Sequence, residues 1–317
     1  MTDTKNEVFK TPLNKIRLFE HGAPGSQNFK LTRKYYTEDM PDGRVKHIVQ
    51  NITDPDIVPY IPDGIGNSTD RQRIPAVLII PGGAFRRLVY NFEGEDVAKW
   101  LNSMGIAAFV LECRLPSDEH DNAEDVPLID AMRAMRVIRG RAQEFGIDEA
   151  KIGVMGFSAG GFMAALLSTA YESDVYADYK YKDEYDKLSA RPDFAVCSYP
   201  VISIDDCIEA GKRYMSEEQV LERISDSKAK ILHKYNPDKL VRPDMPPVFI
   251  CETDDDRTTL SENSVGFYMA ARKAGVSAEL HIFRTGGHGY GCGDDFAQTG
   301  EWKVLFTKWI KSIGIIS

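Results

Sequence analysis

The residues best suited to chemistry form one pentapeptide, Gly156-Phe157-Ser158-Ala159-Gly160, near the middle of the chain. An apolar run at residues 152–155 precedes it, and an Ala- and Leu-rich stretch of helical character follows it. The pattern G-x-S-x-G between a strand and a helix is typical of a sharp turn that presents a nucleophilic serine. Small residues are needed around the serine because the turn is crowded. We therefore predict that Ser158 carries a reactive hydroxyl at a helix N-terminus, where the helix dipole favours developing negative charge.

Two other interpretations of this turn are open. A dinucleotide-binding loop needs the spacing G-x-G-x-x-G, whereas Gly153, Gly156 and Gly160 are spaced G-x-x-G-x-x-x-G. A glycine-rich turn whose serine merely caps the helix has no such conflict with the spacing. A nucleophile additionally requires a base and an acid elsewhere in the chain.

His288 is the histidine best placed to activate Ser158. In folds with this turn, the groups follow in the order Ser, Asp or Glu, His. His288 lies among glycines at residues 286–291, just past an apolar strand-like run, so its loop can bring the imidazole to the serine. His281 lies inside that run and is expected to pack there. His120, in an acidic loop, is expected at the surface, with the mouth of the site as the alternative.

The acid that orients the histidine is expected after the apolar run at residues 247–252, where Asp254, Asp255 and Asp256 are adjacent. One carboxylate there would hold the imidazole tautomer and stabilise the imidazolium. Periodicity does not show which aspartate points inward; we favour Asp256, with Asp255 as the second candidate. A calcium loop is not expected, because the sequence lacks the D-x-D-x-D-G spacing of such loops.

Attack by a serine on a carbonyl creates a negatively charged oxygen that needs hydrogen-bond donors. The N–H of Ala159, directly after the serine, is one predicted donor. The second donor is expected from the loop Pro81-Gly82-Gly83-Ala84-Phe85, after the first core strand, where small residues let the backbone approach a substrate. Gly83 and Ala84 are the candidates for this second donor, with an ordinary glycine turn as the alternative.

The segments that must position these residues alternate between apolar strand-like runs and amphipathic helical stretches. The predicted strands lie at about residues 75–80, 106–111, 151–155, 194–199, 247–252 and 278–283. Helical stretches lie between many of them, including a long one at residues 126–145. This alternation predicts βαβ units and a mostly parallel central sheet flanked by helices.

The chain is expected to form an α/β catalytic domain at residues 71–317, preceded by a polar, turn-rich N-terminal extension with edge strands at residues 1–70. Two charged stretches interrupt the alternation, at about residues 171–190 and 203–245. Because both follow elements of the core, we interpret them as small insertions near the site.

The composition excludes several classes of protein. Among 317 residues, 39 Lys and Arg against 48 Asp and Glu give a net charge of −9, which argues against a nucleic-acid partner. The sequence has no apolar run near the roughly 20 residues of a membrane span, so no membrane partner is expected. Five cysteines without C-x-x-C spacing, and no recognisable signal peptide, predict a cytoplasmic protein without zinc or disulfides. We expect no metal and no cofactor, and leave a homo-oligomer open.

Several stretches together resemble the α/β-hydrolase superfamily, and within it bacterial serine esterases of the acetyl-xylan esterase and feruloyl-esterase type. The matching stretches are residues 81–85, 93–94, 130–131, 146–148, 151–161, 199–203, 262–264 and 286–291. The resemblance implies an α/β-hydrolase fold and, through the offset from Glu262-Asn263-Ser264, the choice of Asp256 as the acid. This chain departs from similar sequences at Thr259-Leu260, where Val-Pro is usual, at Phe162, where His is frequent, and at Cys113, where Tyr is usual.

The resemblance also implies an activity. It suggests a serine carboxylester hydrolase that removes a small acyl group, acetyl above all, from a carbohydrate or related alcohol through an acyl-enzyme. A small-molecule or oligosaccharide ester is the expected partner. A peptidase or lactone hydrolase is the alternative, because this fold does not fix the substrate. A non-catalytic binding protein would have lost the serine, the histidine or the oxyanion loop, and the sequence retains all three.

Overall fold

The structure is a computed structural model that describes residues 9, 14–65, 73–118, 120–216, 218–220, 227–293 and 298–317. The strands in these ranges are β1 (Ile16–Arg17), β2 (Lys34–Asp39), β3 (Val45–Gln50), β4 (Asp56–Tyr60), β5 (Ile74–Ile80), β6 (Leu88–Val89), β7 (Ala107–Glu112), β8 (Ile147–Phe157), β9 (Ala195–Ser198), β10 (Val248–Thr253) and β11 (Ala278–Phe283). The α-helices are α1 (Asp96–Ser103), α2 (Val126–Gly140), α3 (Ala142–Phe145), α4 (Ala159–Ala170), α5 (Ile204–Tyr214), α6 (Ser227–Lys234), α7 (Ser261–Lys273) and α8 (Glu301–Ser312).

The main sheet of the described residues holds eight strands in the order β1-β4-β7-β5-β8-β9-β10-β11. Neighbouring strands from β7 across to β11 run parallel. At the other edge, β4 pairs antiparallel with β7, and β1 pairs antiparallel with β4. A second, antiparallel sheet contains β2, β3 and β6. The central sheet is therefore mostly parallel, as predicted.

The central strands are buried on both faces, as parallel strands between helices must be. Every residue of β7 and of β10 is buried, and successive side chains of a strand point to opposite faces of the sheet. Helices α1 and α8 contact each other through Trp100 and Trp302, whose ring centroids lie 4.9 Å apart. Helix α2 packs against α4. The sheet is thus flanked by helices, and its core is built from the apolar runs seen in the sequence.

The long helix predicted over residues 126–145 is interrupted, so that prediction is wrong in part. Helix α2 ends at Gly140, and α3 begins only at Ala142. Arg141, between them, has a φ of −103° and a ψ of 16°, which departs from helical geometry. A Cβ on Gly140 would lie 2.4 Å from a ring carbon of Tyr185, so close packing selects glycine, a weak helix former, at the break.

The segment before β5 contributes β1 and β4 to one edge of the main sheet, and β2 and β3 to the second sheet. Residues 171–190 include a short 3₁₀ turn, Glu184–Lys187, and residues 203–245 include α5 and α6. The division into an extension and a catalytic domain stays a prediction. Across the described ranges, no helix combines the length and the apolar character that crossing a membrane requires.

Four loops follow the carboxyl ends of parallel strands, on the same side of the main sheet. The loop after β5 carries Gly83, and the turn after β8 carries Ser158. The loops after β10 and β11 carry Asp256 and His288. Because ligands of open parallel sheets bind at the carboxyl ends of the strands, the topology gathers the candidate residues where a substrate can reach them.

Candidate active site

Ser158 lies in the sharp turn between β8 and α4, where the backbone is sterically confined. Its φ of 54° and ψ of −117° are uncommon for a residue with a side chain. A Cβ on Gly156 would lie 1.9 Å from the carbonyl oxygen of Gly160, and a Cβ on Gly160 would lie 1.9 Å from that of Ile80. Both glycines are therefore required by the close approach of backbone, which holds the serine hydroxyl at the N-terminus of α4.

The side chains of Ser158, His288 and Asp256 form one chain of hydrogen bonds. Ser158 Oγ lies 2.8 Å from His288 Nε2, and His288 Nδ1 lies 2.6 Å from Asp256 Oδ2. When Nδ1 donates its proton to the carboxylate, Nε2 is free to accept the proton of the serine hydroxyl. Ser158 is 8% exposed and the imidazole is 22% exposed, so the pair is shielded yet reachable. The structure thus brings together three side chains selected from the sequence.

Asp256 is held as a carboxylate. Its Oδ1 accepts hydrogen bonds from the N–H groups of Thr258 and Thr259, at 2.7 and 3.0 Å, and its Oδ2 accepts one from the Thr259 hydroxyl at 3.0 Å. Burial alone would raise the pKa of Asp256, but the hydrogen bond and charge of His288 and the backbone donors outweigh burial and hold this pKa below its ordinary value. Asp256 can therefore stay ionised and stabilise an imidazolium.

Asp255 holds a loop rather than the imidazole. Its Oδ1 accepts hydrogen bonds from the N–H groups of Gly286 and Gly287, at 3.0 and 2.8 Å. The hydroxyl of Thr253 donates to the carbonyl of Gly287 at 2.9 Å, so two side chains fix the same loop. The two candidate acids therefore occupy different positions: Asp256 contacts the imidazole, and Asp255 contacts the backbone that precedes it.

A third carboxyl, that of Glu252, lies close to Asp256. It accepts hydrogen bonds from the N–H of Thr253 at 2.9 Å and from the hydroxyl of Ser264 at 3.2 Å. Burial, and then the negative charge of Asp256, raise the pKa of Glu252 well above its ordinary value. Burial and the neighbouring charge therefore both favour the protonated form of Glu252, which lowers the charge repulsion beside Asp256.

The loop after β5 approaches Ser158 in an unusual backbone conformation. Gly83, Ala84 and Phe85 have φ values of 139°, 57° and 59°, all in the left-handed region. The carbonyl of Gly83 accepts hydrogen bonds from the N–H groups of Arg86 and Arg87, at 3.2 and 3.3 Å, and these bonds close the turn. A Cβ on Gly82 would lie only 2.9 Å from Ser158 Cβ, so this loop touches the serine. The N–H of Ala159 is the first of α4 and has no partner within the helix.

A narrow, mainly apolar pocket opens beside these backbone groups. Gly82 and Ala159 line it on the side of the serine, and Leu115, Pro116 and Met163 contribute to its apolar wall. Phe85 also lines the pocket, and the ring of Phe162 supports it edge-on at 5.5 Å between centroids. Two departures from similar sequences, Phe162 and Cys113, thus lie behind or on the wall of this pocket.

His120 is 5% exposed, so its expected surface position is wrong. Its Nδ1 lies 3.0 Å from Ser26 Oγ, and Ser26 also accepts a hydrogen bond from Arg114 at 2.8 Å. Burial, and then the positive charge of Arg114, lower the pKa of His120 to about 4, so the ring is neutral at pH 7. Its acidic neighbours along the chain misled the prediction, because its hydrogen-bond partner Ser26 lies 94 positions away in the sequence.

His281 lies half-buried on β11, where its Nε2 is 2.7 Å from Glu279 Oε1, and it takes no part in the site. Glu93 and Tyr199, by contrast, lie in the site although the sequence assigned them no role. Both belong to stretches that resemble related sequences, and that resemblance was the available signal. Among the side chains that the structure describes, no group of three or more His, Cys, Asp or Glu could hold a metal ion.

The strand order, the flanking helices and the serine at the turn after β8 define an α/β-hydrolase fold, as predicted. The BD-FAE family model matches residues 65–270, more than half of the chain, and the chain belongs to the BD-FAE family.

Three comparisons relate this chain to characterised proteins. It is 31% identical over 240 residues to an acetylxylan esterase of Xylanibacter ruminicola, and this match covers 75% of the chain and 45% of that protein. The acetyl ester-xyloside bifunctional hydrolase from Caldicellulosiruptor lactoaceticus has a similar structure, with a TM-score of 0.70 and 35% identity over 96% of this chain and 97% of that one. The propionate-bound esterase Est2 of Thermogutta terrifontis matches with a TM-score of 0.64 and 25% identity, over 83% of this chain and 91% of that one. The chain thus spans less than half of the curated relative's length.

Proposed function

We propose that the protein is a serine carboxylester hydrolase that removes a small acyl group, acetyl above all, from a carbohydrate or related alcohol. The observation that carries the proposal is the hydrogen-bonded chain Ser158–His288–Asp256, which lies against the loop after β5. Its similarity to an acetylxylan esterase and to an acetyl ester-xyloside hydrolase supports an acetylated carbohydrate as substrate. A cytoplasmic location is part of the same proposal and rests on the cysteine usage of the sequence.

In the proposed reaction, Ser158 Oγ attacks the ester carbonyl while His288 Nε2 takes the hydroxyl proton. Asp256 stabilises the resulting imidazolium through Nδ1. The N–H groups of Ala159 and of Gly83 or Ala84 stabilise the negative oxygen of the tetrahedral intermediate. His288 then returns the proton to the leaving alcohol, and the C–O bond breaks to give an acyl-enzyme. Water, deprotonated by the same imidazole, attacks that acyl-enzyme and releases the carboxylic acid.

The narrow pocket supports a small acyl group. It adjoins Ala159 and Gly82, which directly precedes Gly83, so an acyl chain whose carbonyl oxygen accepts from the proposed donors would extend into it. Phe85, supported by Phe162, and Met163 limit its width. A large aromatic acyl group such as feruloyl would therefore require these side chains to move, whereas acetyl would not.

A substrate panel tests this proposal. Turnover of acetyl, butyryl and feruloyl esters of one alcohol, an acetylated xylo-oligosaccharide, a lactone and a proline-containing peptide amide is compared for the wild type and Ser158→Ala. We expect acetyl esters to be the best substrates by kcat/KM, and Ser158→Ala to lose about 10⁵-fold or more in kcat. Hydrolysis of the amide or lactone without ester turnover, or full ester turnover by Ser158→Ala, would contradict the proposal.

A further inference from the structure

Two loops that reach Ser158 are joined by a buried carboxyl and a buried phenol. Glu93 Oε2 accepts a hydrogen bond from the N–H of Gly82 at 2.8 Å, and Glu93 Oε1 accepts one from the Tyr199 hydroxyl at 2.9 Å. The Tyr199 oxygen in turn accepts a hydrogen bond from the N–H of Gly291 at 3.0 Å. We call this chain of groups, from Gly82 through Glu93 and Tyr199 to Gly291, the Glu93–Tyr199 bridge.

The first end of the bridge lies directly against the nucleophile. Glu93 is 5% exposed and belongs to a single π-helical turn, Asn91–Glu95, a geometry that is frequent at functional sites. A Cβ on Gly82 would lie 2.8 Å from Glu93 Oε2 and 2.9 Å from Ser158 Cβ. The carboxyl, the loop after β5 and the serine are therefore packed together without space between them.

The second end of the bridge lies against the base and the acid. Tyr199 is fully buried, and its ring centroid is 5.1 Å from that of His288. Its φ of 37° is uncommon for a residue with a side chain, so the surroundings hold it in place. The carbonyl of Tyr199 lies 3.2 Å from the hydroxyl oxygen of Thr259, the same hydroxyl that donates to Asp256 at 3.0 Å.

Packing alone does not account for a carboxyl at this position. Burial raises the pKa of Glu93, and the positive charge of His288 with the hydrogen bonds from Tyr199 and Gly82 acts in the opposite direction. A buried carboxyl destabilises a fold unless its partners compensate for the lost hydration, and an apolar side chain would fill the same space without that cost. The two oxygens of the carboxyl accept one hydrogen bond from each of two loops, which an apolar side chain could not do.

We propose that Glu93 and Tyr199 are positioning residues whose bridge fixes the loop of the predicted oxyanion donors and the loop of His288 relative to Ser158. This inference rests on the proposed function. A displacement of about 1 Å in such a site can lower the rate by about 10²-fold. Because oxyanion contacts strengthen as the tetrahedral state forms, the loss should appear in kcat more than in KM.

The test compares Glu93→Gln, Tyr199→Phe and the double variant. Tyr199→Phe removes the hydroxyl that joins both loops, and Glu93→Gln leaves one acceptor oxygen for two donors. Titration of Ser158 with a fluorophosphonate gives the concentration of competent sites, so that kcat is expressed per active site. We expect each single variant to lose about 10- to 100-fold in kcat with KM changed less than about threefold. The kcat of the double variant should be about equal to that of the less active single variant, because the two residues act as one unit.

A second readout separates positioning from general destabilisation. The affinity of a trifluoromethyl ketone, which forms a tetrahedral adduct with the serine, should fall in proportion to kcat/KM across the variants. Tyr176→Phe is the matched control, since the Tyr176 hydroxyl also donates to a buried carboxylate, that of Asp186, at 2.9 Å. Tyr176→Phe should lower the melting temperature by a similar amount and leave kcat per site unchanged.

Two outcomes would overturn the inference. One is a kcat per site within about twofold of the wild type in both single variants. The other is a double variant whose loss equals the product of the single losses, because independent effects would multiply. Failure of the proposed function is a separate result, since it would appear as unimpaired ester hydrolysis by Ser158→Ala.

Discussion

The two halves of the site are held in place by different forces. On the serine side, backbone meets backbone: Gly156 and Gly160 lie so close to neighbouring carbonyls that a single methyl group would not fit. On the histidine side, side chains donate to and accept from a glycine-rich loop. Asp255 binds the N–H groups of Gly286 and Gly287, and Tyr199 binds another N–H further along the same loop.

This difference explains why the sequence predicted the residues of the serine side individually, whereas it predicted only the general position of the contacts on the histidine side. Steric confinement acts between residues a few positions apart, so it leaves a short motif with fixed glycines. Hydrogen bonds between loops join residues that lie anywhere in the chain, and they leave no pattern in spacing. We therefore expect substitutions on the serine side to destabilise the fold, and substitutions on the histidine side to lower the activity by graded amounts.

The largest expected effect is the loss of folding stability in Gly156→Ala. The added Cβ would lie 1.9 Å from the carbonyl oxygen of Gly160, and backbone on both sides cannot move apart without opening the turn. We expect the free energy of unfolding to fall by about 3 kcal/mol or more. Urea unfolding followed by circular dichroism measures it.

Gly266→Ala is the control for that substitution. Gly266 lies inside α7, and a Cβ there would have no heavy atom within 4 Å. Alanine should therefore be neutral or stabilise the helix by up to about 1 kcal/mol. A Gly156→Ala variant that unfolds like the wild type would show that steric confinement does not hold the serine.

The next effect is expected for Asp256→Asn. An asparagine keeps the shape but cannot hold the imidazole in the required tautomer or stabilise its charge, so kcat should fall by about 10⁴-fold. Asp254→Asn is the control, because Asp254 is exposed and belongs to the same run of three aspartates. Steady-state ester hydrolysis at pH 7 distinguishes the two. A fall in activity with Asp254→Asn but not with Asp256→Asn would show that Asp256 is not the acid.

A smaller effect is expected for Asp255→Ala. It removes the acceptor for two loop N–H groups while the bond between Asp256 and the imidazole stays intact. We expect kcat to fall by about 10- to 100-fold, as His288 spends less time in position. Asp255→Asn retains an acceptor oxygen and should restore most of the activity. Equal losses in Asp255→Ala and Asp255→Asn would point to the charge of Asp255 and not to its hydrogen bonds.

Much of the fold was predictable from the sequence, because each buried strand is a short apolar run and most are separated by amphipathic helices. The convergence of Ser158, Asp256 and His288 followed from chain order, since each residue comes directly after a strand of one parallel sheet. Their catalytic roles stay predictions. The pairing of Glu93 with Tyr199 left no pattern in spacing, because the two residues are 106 positions apart, and the resemblance of their stretches to related sequences gave them no role. The burial of His120 was missed for the same reason, as its partner Ser26 lies far away in the chain.

The smallest effect on activity is expected for Glu252→Gln, and its pH dependence sharpens the comparison between neighbouring carboxyls. The pKa of Glu252 is raised by burial and by Asp256, so the native side chain is neutral where the unfolded one is ionised. In that range the native state binds more protons than the unfolded state, so the contribution of Glu252 to stability falls as pH rises above about 4.5. Glutamine carries no such proton. Relative to the wild type, Glu252→Gln should therefore gain stability in urea unfolding as pH rises above about 4.5, while kcat at pH 7 stays within about threefold. A stability difference that does not change with pH would mean that Glu252 is ionised in the native protein, and that Asp256 has a charged neighbour.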